Sequence, residues 1–225
     1  KGDSIWRVDF SPDNKTVLTA SENGKLKTWD IDSKNLLLNI QAHSDWIYGA
    51  QFSPDGSKIL TTSKMSGDTT AKIWNSQTGN LIHILFGHTS TLGSGCFSSD
   101  GDRVFTTSED GTLRIWNTNT GSLINTINGN CNKSWDIVSS FDGDHVLTAC
   151  NHESAKLWRI STGNIVGTFS DRVFAVAISN NNNFALTGNK SGNIEKWNIE
   201  TFVSSNPTNT PTEQGTINPT STDTP

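Results

Sequence analysis

The sequence predicts an all-β chain built from five copies of a four-stranded antiparallel unit, and three observations carry that expectation. Five of the eight tryptophans recur, at Trp29, Trp74, Trp116, Trp158 and Trp197, at intervals of 45, 42, 42 and 39 residues. A second column precedes them at Phe10, Phe52, Phe97, Ser139 and Ile178, 19 residues ahead of the Trp in four copies and 22 in the second, where the extra three lie within 64–67. Turn residues then punctuate every copy at fixed offsets. A period held in register over five copies is the mark of a repeat architecture.

Each copy contains the same pieces in the same order. A first alternating run, such as Trp6-Arg7-Val8-Asp9-Phe10, reads as a strand with one face buried. The turns 11–14, 53–56, 98–101 and 140–143 follow, each with Asp at its third position and Gly or Asn at its fourth. Asp caps such a turn and Gly or Asn accepts a positive φ. A β-branched run comes next (16–19, 58–62, 103–107, 145–149), then a polar turn and the strand that ends in Trp. Thr-Gly or Ser-Lys turns (78–79, 120–121, 162–163, 33–34) lead to a fourth short strand, such as 81–86. Four short strands per copy form one blade of a β-propeller. No segment reads as an amphipathic helix.

These residues resemble the WD-repeat family over 5–203. The most typical stretch is Gly87-His88 followed by Ser108-Glu109-Asp110-Gly111-Thr112-Leu113-Arg114-Ile115-Trp116-Asn117. The family usually places Asp after the Trp; here Trp29-Asp30 keeps it, while Asn75, Asn117, Arg159 and Asn198 replace it. The resemblance implies one propeller domain over 1–203, with repeats at about 1–40, 41–86, 87–128, 129–169 and 170–203. The family's usual ring has roughly seven blades, so five are expected to be an excerpt of a larger, incomplete ring, with a true five-bladed ring as the alternative. Open blade faces would then make self-association a consequence.

The resemblance also implies a hydrogen-bonded His–Thr–Asp–Trp network inside a blade. It maps completely onto His43, Thr61, Asp68 and Trp74, and onto His88, Thr106, Asp110 and Trp116. A buried indole N–H needs an acceptor, the Thr hydroxyl supplies one, and that hydroxyl can donate to a His ring held by the carboxylate. Elsewhere the pattern decays. Asn23 and Lys1 stand at the Asp and His positions of repeat 1, and Asn130 and His152 at the His and Asp positions of repeat 4. Repeat 5 has Ser191 for Asp and a shortened loop, 170–172, with no His. Thr19, Thr148 and Thr187 persist. Blades 2 and 3 are therefore expected to be the most rigid, and blades 4 and 5 the most pliable. A hydrolase triad would also use His, Asp and a hydroxyl, but it needs an exposed nucleophile beside a cleft. Recurrence beside a Trp argues for structure, so no catalytic residue is expected.

Aromatic residues at the start of the first strands (Trp6, Tyr48, Trp135 and Phe174, with Trp46 two positions before Tyr48) are candidate partner-binding residues. In the family such positions lie near the top rim of the channel; packing between blades is the competing reading. A basic column, Lys27, Lys72, Arg114 and Lys156, reads as solvated outer-strand positions, with a ring for a polyanion as the alternative.

Composition sets the outer bounds. The formal charge of −5 argues against nucleic acid and anionic membranes, which are held by clustered Lys and Arg. No apolar run is long enough to span a bilayer, and no signal-peptide pattern opens the chain. It begins at Lys1, so a leader ahead of it stays open. Cys96, Cys131 and Cys150 show no CxxC spacing; they are expected to be reduced thiols, with no zinc, no other metal and no cofactor, in a cytoplasmic protein. Residues 204–225 are rich in Thr, Pro and Asn and too poor in apolar side chains to offset chain entropy. They are expected to be a disordered tail or linker, with an O-glycosylated stalk as the alternative. The function expected is a non-enzymatic scaffold binding protein or peptide segments on the top face. A regulatory or sensor module of a larger protein and a propeller-based enzyme are the alternatives.

Overall fold

The computed structural model describes residues 4–64, 67–131, 133–150 and 153–203. The tail expected at 204–225, and the Lys1 and His152 positions of the network, lie outside the described residues.

The chain is all-β, as the periodicity predicts, and its strands pair strictly with their sequence neighbours. Five antiparallel sheets result: β1 (Ile5–Phe10) to β4 (Leu36–Gln41), β5 (Ile47–Phe52) to β8 (Leu81–Leu85), β9 (Leu92–Phe97) to β12 (Leu123–Asn128), β13 (Ser134–Ser139) to β16 (Asn164–Asp171), and β17 (Val173–Ile178) to β19 (Ile194–Asn198). The first four have four strands, in simple meander order, and the fifth has three among the described residues. These are WD-type propeller blades. Two compact units contain them, one within 1–132 holding the first three blades and one within 133–225 holding the last two.

The turn chemistry fixes the register of each hairpin. In the first turn of every blade a Ser hydroxyl bonds the Asp or Asn two residues on: Ser11 to Asp13, Ser53 to Asp55, Ser98 to Asp100, Ser140 to Asp142 and Ser179 to Asn181. The fourth residue, Asn14, Gly56, Gly101, Gly143 or Asn182, has φ between 58° and 75°, the left-handed region that Gly and Asn tolerate. With the turn set, the Trp faces the same strand-two position in every blade: Val17, Ile59, Val104, Val146 and Ala185 pair with Trp29, Trp74, Trp116, Trp158 and Trp197.

Strand alternation then gives each blade two dissimilar apolar faces, here named the Trp face and the aliphatic face. Within the first unit, Leu18, Ala20 and Leu26 of blade 1 pack on Ile47, Phe52, Ile59 and Trp74 of blade 2. Leu60, Ala71 and Ile73 of blade 2 pack in the same way on Leu92, Phe97, Val104 and Trp116 of blade 3. Within the second unit, Leu147, Ala149, Ala155 and Leu157 meet Val173, Ala185 and Trp197. Within each unit, the Trp face of a later blade therefore closes the aliphatic face of the blade before it. Gly49 shows how tight this is: a Cβ there would fall 2.6 Å from the Thr62 hydroxyl, which accepts from Gly49 N and donates to Gly93 O of the next blade.

Two sequence expectations need correction. A one-turn helix, α1 (Glu200–Val203), follows the last Trp where no helix was expected; Asn198 Oδ1 accepts from Glu200 N and starts it. The cysteines are not all reduced: Cys131 and Cys150 are disulfide-bonded, and Cys96 is buried and outside any disulfide. Folded geometry decides a disulfide, and sequence spacing outside a CxxC pattern does not report it.

Candidate functional site

The polar network is built from the turn between strands two and three and from the loop entering each blade. In blade 3, Trp116 Nε1 donates to Thr106 Oγ1 at 2.8 Å, Thr106 Oγ1 lies 2.8 Å from His88 Nε2, and His88 Nδ1 lies 2.8 Å from Asp110 Oδ2. In blade 2 the Trp74–Thr61, Thr61–His43 and His43–Asp68 distances are 2.9, 2.8 and 2.7 Å. One assignment satisfies every atom: the indole donates to the hydroxyl, the hydroxyl to Nε2, and Nδ1–H to the carboxylate. Burial depresses the pKa of both His43 and His88 against the pull of their Asp partners, so both rings are neutral at pH 7. Burial pushes Asp110 up, but hydrogen bonds from Thr112, His88 and Thr89 N outweigh it and bring its pKa to about 2. Asp68 is likewise held well below the usual range, by His43, Thr70 and Lys72 acting against burial.

The chemistry this permits is structural. Thr61 and Thr106 are fully buried, and each hydroxyl already accepts from an indole and faces an imidazole. Neither can present a nucleophile to solvent. Among the described residues no group of His, Cys, Asp and Glu is placed to hold a metal ion.

Outside blades 2 and 3 the Trp–Thr bond survives while its continuation changes. Trp29 donates to Thr19 at 3.3 Å, and Asn23 caps its own turn by accepting from Ser21. Trp158 donates to Thr148 at 3.2 Å, and Thr148 turns to Lys156 O. Asn130, at the His position, is buried, and its Nδ2 has no hydrogen-bond partner among the described residues. Blade 5 departs from expectation. Trp197 donates to Thr187 at 2.9 Å, and Ser170 Oγ sits 3.1 Å from Thr187 Oγ1, where a His would otherwise stand. The 170–172 loop is short because β16 runs on through Ser170, which brings a hydroxyl to the place of the missing ring.

The residue after the Trp accepts hydrogen bonds from the turn that follows in four of the five blades. Asp30 accepts from Ser33 N, Asn75 from Gln77 N and Thr78 N, Asn117 from Asn119 N and Thr120 N, and Asn198 from Glu200 N. Asn and Asp are interchangeable as acceptors here. Arg159 is the exception, and its guanidinium instead donates to Phe202 O.

The candidate partner-binding aromatics form two clusters, one in each unit. In the first, Trp6 is 47% exposed and stacks on half-buried Trp46, with centroids 5.3 Å apart and planes at 23°. Tyr48 beside them is buried; Arg7 donates to its carbonyl, and Lys64 Nζ lies 4.1 Å from its ring centroid. In the second, Trp135 meets Phe174 edge-on at 5.4 Å and packs against the core, while Phe174 is partly exposed. Trp6, Trp46 and Phe174 are therefore the surface members, and Tyr48 and Trp135 are chiefly packing. Of the basic column, Lys72 donates to Ala42 O and Lys156 pairs with Glu153.

The family model for the WD domain, G-beta repeat, matches residues 1–30, 34–75 and 79–117. The chain belongs to the WD-repeat family. It is 37% identical over 60 residues to human apoptotic protease-activating factor 1, covering 27% of this chain and 5% of that protein. It is 36% identical over 67 residues to WD repeat and SOCS box-containing protein 1 of Danio rerio, covering 30% and 15%. Eukaryotic translation initiation factor 3 subunit I of Nematostella vectensis is 39% identical over 64 residues, covering 28% and 19%. The matches thus span less than a fifth of each of these relatives. The family is generally a non-enzymatic scaffold fold that works by protein interaction.

Proposed function

We propose that this chain is a non-enzymatic scaffold that captures a protein or peptide segment through its rim aromatics: Trp6 and Trp46, supported by Tyr48, in the first unit, and Phe174, supported by Trp135, in the second. The observation that carries this reading is the Trp6–Trp46 stack, in which Trp6 is exposed and Trp46 half-buried. Two large rings held against each other outside the core lose little entropy on binding and offer much contact area, the features of an interface hot spot. The partner is protein; nucleic acid and membrane surfaces do not suit a chain of net charge −5. Self-association through uncovered blade faces belongs to the same reading.

Peptides selected from a display library on the intact chain supply the probe. Trp6→Ala and Trp46→Ala should each weaken their binding at least tenfold with circular dichroism unchanged. Undiminished binding by both folded variants would place the partner on another face.

A second reading, a regulatory or sensor module within a larger protein, is favoured by the small share of each relative that the match covers. A cytoplasmic location was expected from reduced thiols, and the disulfide-bonded Cys131 and Cys150 remove that support. Counting free thiols in protein taken directly from its source decides the compartment: one accessible on unfolding fits an oxidising one, three a reducing one.

A further inference from the structure

His43 and Trp46 stand three residues apart on the loop that enters blade 2, so the buried network and the rim share one short piece of backbone. That loop is held at both ends. Ala42 N and His43 N donate to Gly24 O of blade 1 at 2.9 and 3.2 Å, and Gln41 Nε2 donates to His43 O and to Asn23 O. At the far end Trp46 N donates to Asp45 Oδ1, and Trp46 O accepts from Lys64 N. Between these ties the chain passes closely over Gly24, whose φ is 76°. A Cβ on Gly24 would collide with His43 O and lie 2.9 Å from Asp45 O, so the loop has its place only because this turn of blade 1 carries no side chain.

The side chain that fastens this loop to its own blade is His43, through Asp68 at 2.7 Å and Thr61 at 2.8 Å. Blade 3 has further ties at the same place. There Thr89 N donates to Asp110 Oδ2, and Ser108 Oγ donates to Ser90 O and Thr91 O, in addition to the His88–Asp110 bond. The residue of blade 2 in the column of Ser108 is Ser63, which is buried, and its Oγ has no hydrogen-bond partner among the described residues. With that serine tie missing, more of the hold on the blade 2 loop falls to His43 and Asp68. The two loops also differ in what they carry. Trp46 follows His43 by three residues, whereas Thr91 follows His88 by three and presents no ring.

We infer that His43 and Asp68, with Gly24 beneath the loop, are positioning residues for Trp46, so that the blade 2 network sets affinity at the rim as well as stabilising its own indole. The inference rests on the rim reading above and names the part of the chain that controls it. A ring that is already fixed loses little freedom when a peptide settles on it, and one on a loosened loop must be ordered first. Ordering one such side chain and its loop costs affinity about threefold to tenfold. The blade 3 network, built of the same four residue types, has no comparable effect because its loop carries no rim aromatic.

Fluorine NMR on the full chain labelled with 5-fluorotryptophan reads the Trp46 ring directly, its resonance assigned by Trp46→Phe, and binding of the display-selected peptides is measured alongside. Asp68→Ala should shift or broaden the Trp46 resonance and weaken peptide binding about threefold to tenfold. Asp68→Asn keeps an acceptor for the imidazole N–H and should restore both. Asp110→Ala, the matched break in blade 3, should lower stability in urea melts and leave the Trp46 resonance and peptide binding as they were. An unmoved resonance in Asp68→Ala overturns the inference, as does an equal response to Asp110→Ala or undiminished binding by a chain that still needs Trp46. If Asp68→Ala does not fold, His43→Asn replaces it with the same expected losses, since blade 4 already carries Asn130 at that position. Peptide binding indifferent to Trp46→Ala overturns the rim reading instead, and the resonance then still decides whether Asp68 places the ring.

Discussion

Blade 3 and blade 5 carry the same indole–hydroxyl bond and differ in what lies behind it. Trp116 leads through Thr106 to a neutral His88 locked by Asp110, a chain of groups with one consistent direction of donation. Trp197 leads through Thr187 to Ser170 and no further among the described residues, and either of those hydroxyls can be the donor. The constant part is the part that burial makes unavoidable, since an indole N–H without an acceptor costs about 1–3 kcal/mol. The variable part determines how firmly the entering loop is tied to the blade. Repeats can therefore lose His and Asp and keep their fold.

The largest effect should come from removing the hydroxyl that both groups share. Thr106→Val leaves the Trp116 indole and His88 Nε2 without partners inside the protein, and should lower stability by roughly 2–5 kcal/mol in urea melts. Thr19→Val beneath half-buried Trp29 should cost under about 1 kcal/mol, because water can reach that indole. Equal losses would mean that the network's length does not matter. Next, Trp116→Phe should cost about 1–3 kcal/mol and Trp197→Phe visibly less, since the Ser170 and Thr187 hydroxyls can reorient toward each other whereas His88 is fixed. Ser170→Ala refines this point: a loss of about 1 kcal/mol would show that the serine replaces the ring, and no loss would reduce the contact to mere proximity.

How much of this could be read from the sequence depends on whether it repeats. The Trp column, the Ser-x-Asp turns and the four-strand order are periodic, so five noisy copies reinforce one another and the blades were legible. The two complete networks were equally so, because His, Thr, Asp and Trp stand at matching offsets in repeats 2 and 3. Ser170 was not legible. Its hydroxyl reaches Thr187 only because β16 runs through the place where other repeats make a loop, a backbone change with no residue signature. The acceptor role of Asn75, Asn117 and Asn198 was visible and misjudged: measured against a consensus Asp they looked like losses, although an amide oxygen accepts the same turn N–H groups. The rim aromatics shared one register, yet Tyr48 is buried and Trp6 exposed, because register along a strand does not by itself fix what packs against a side chain.

Acid should separate the networks from the rest of the fold by a smaller margin. His43 and His88 have depressed pKa values in the folded chain, so the unfolded chain binds their protons more readily, and stability falls as pH drops below about 6.5. Asp110, at about 2 against an unfolded value near 4, adds a second loss between about pH 4 and pH 2. Urea midpoints at successive pH values should therefore fall in two stages. A curve that stays flat down to about pH 4 would mean that the two histidines are not held neutral.

The five indoles share one bond but differ in how firmly the network holds it. Hydrogen exchange at the indole Nε1–H groups, followed by two-dimensional NMR with each Trp assigned by substitution, measures this at the atom concerned. Exchange should be slowest at Trp74 and Trp116, faster at Trp158 and Trp197, and fastest at half-buried Trp29. Equal protection at the four buried indoles, or slower exchange at Trp197 than at Trp116, would contradict this order.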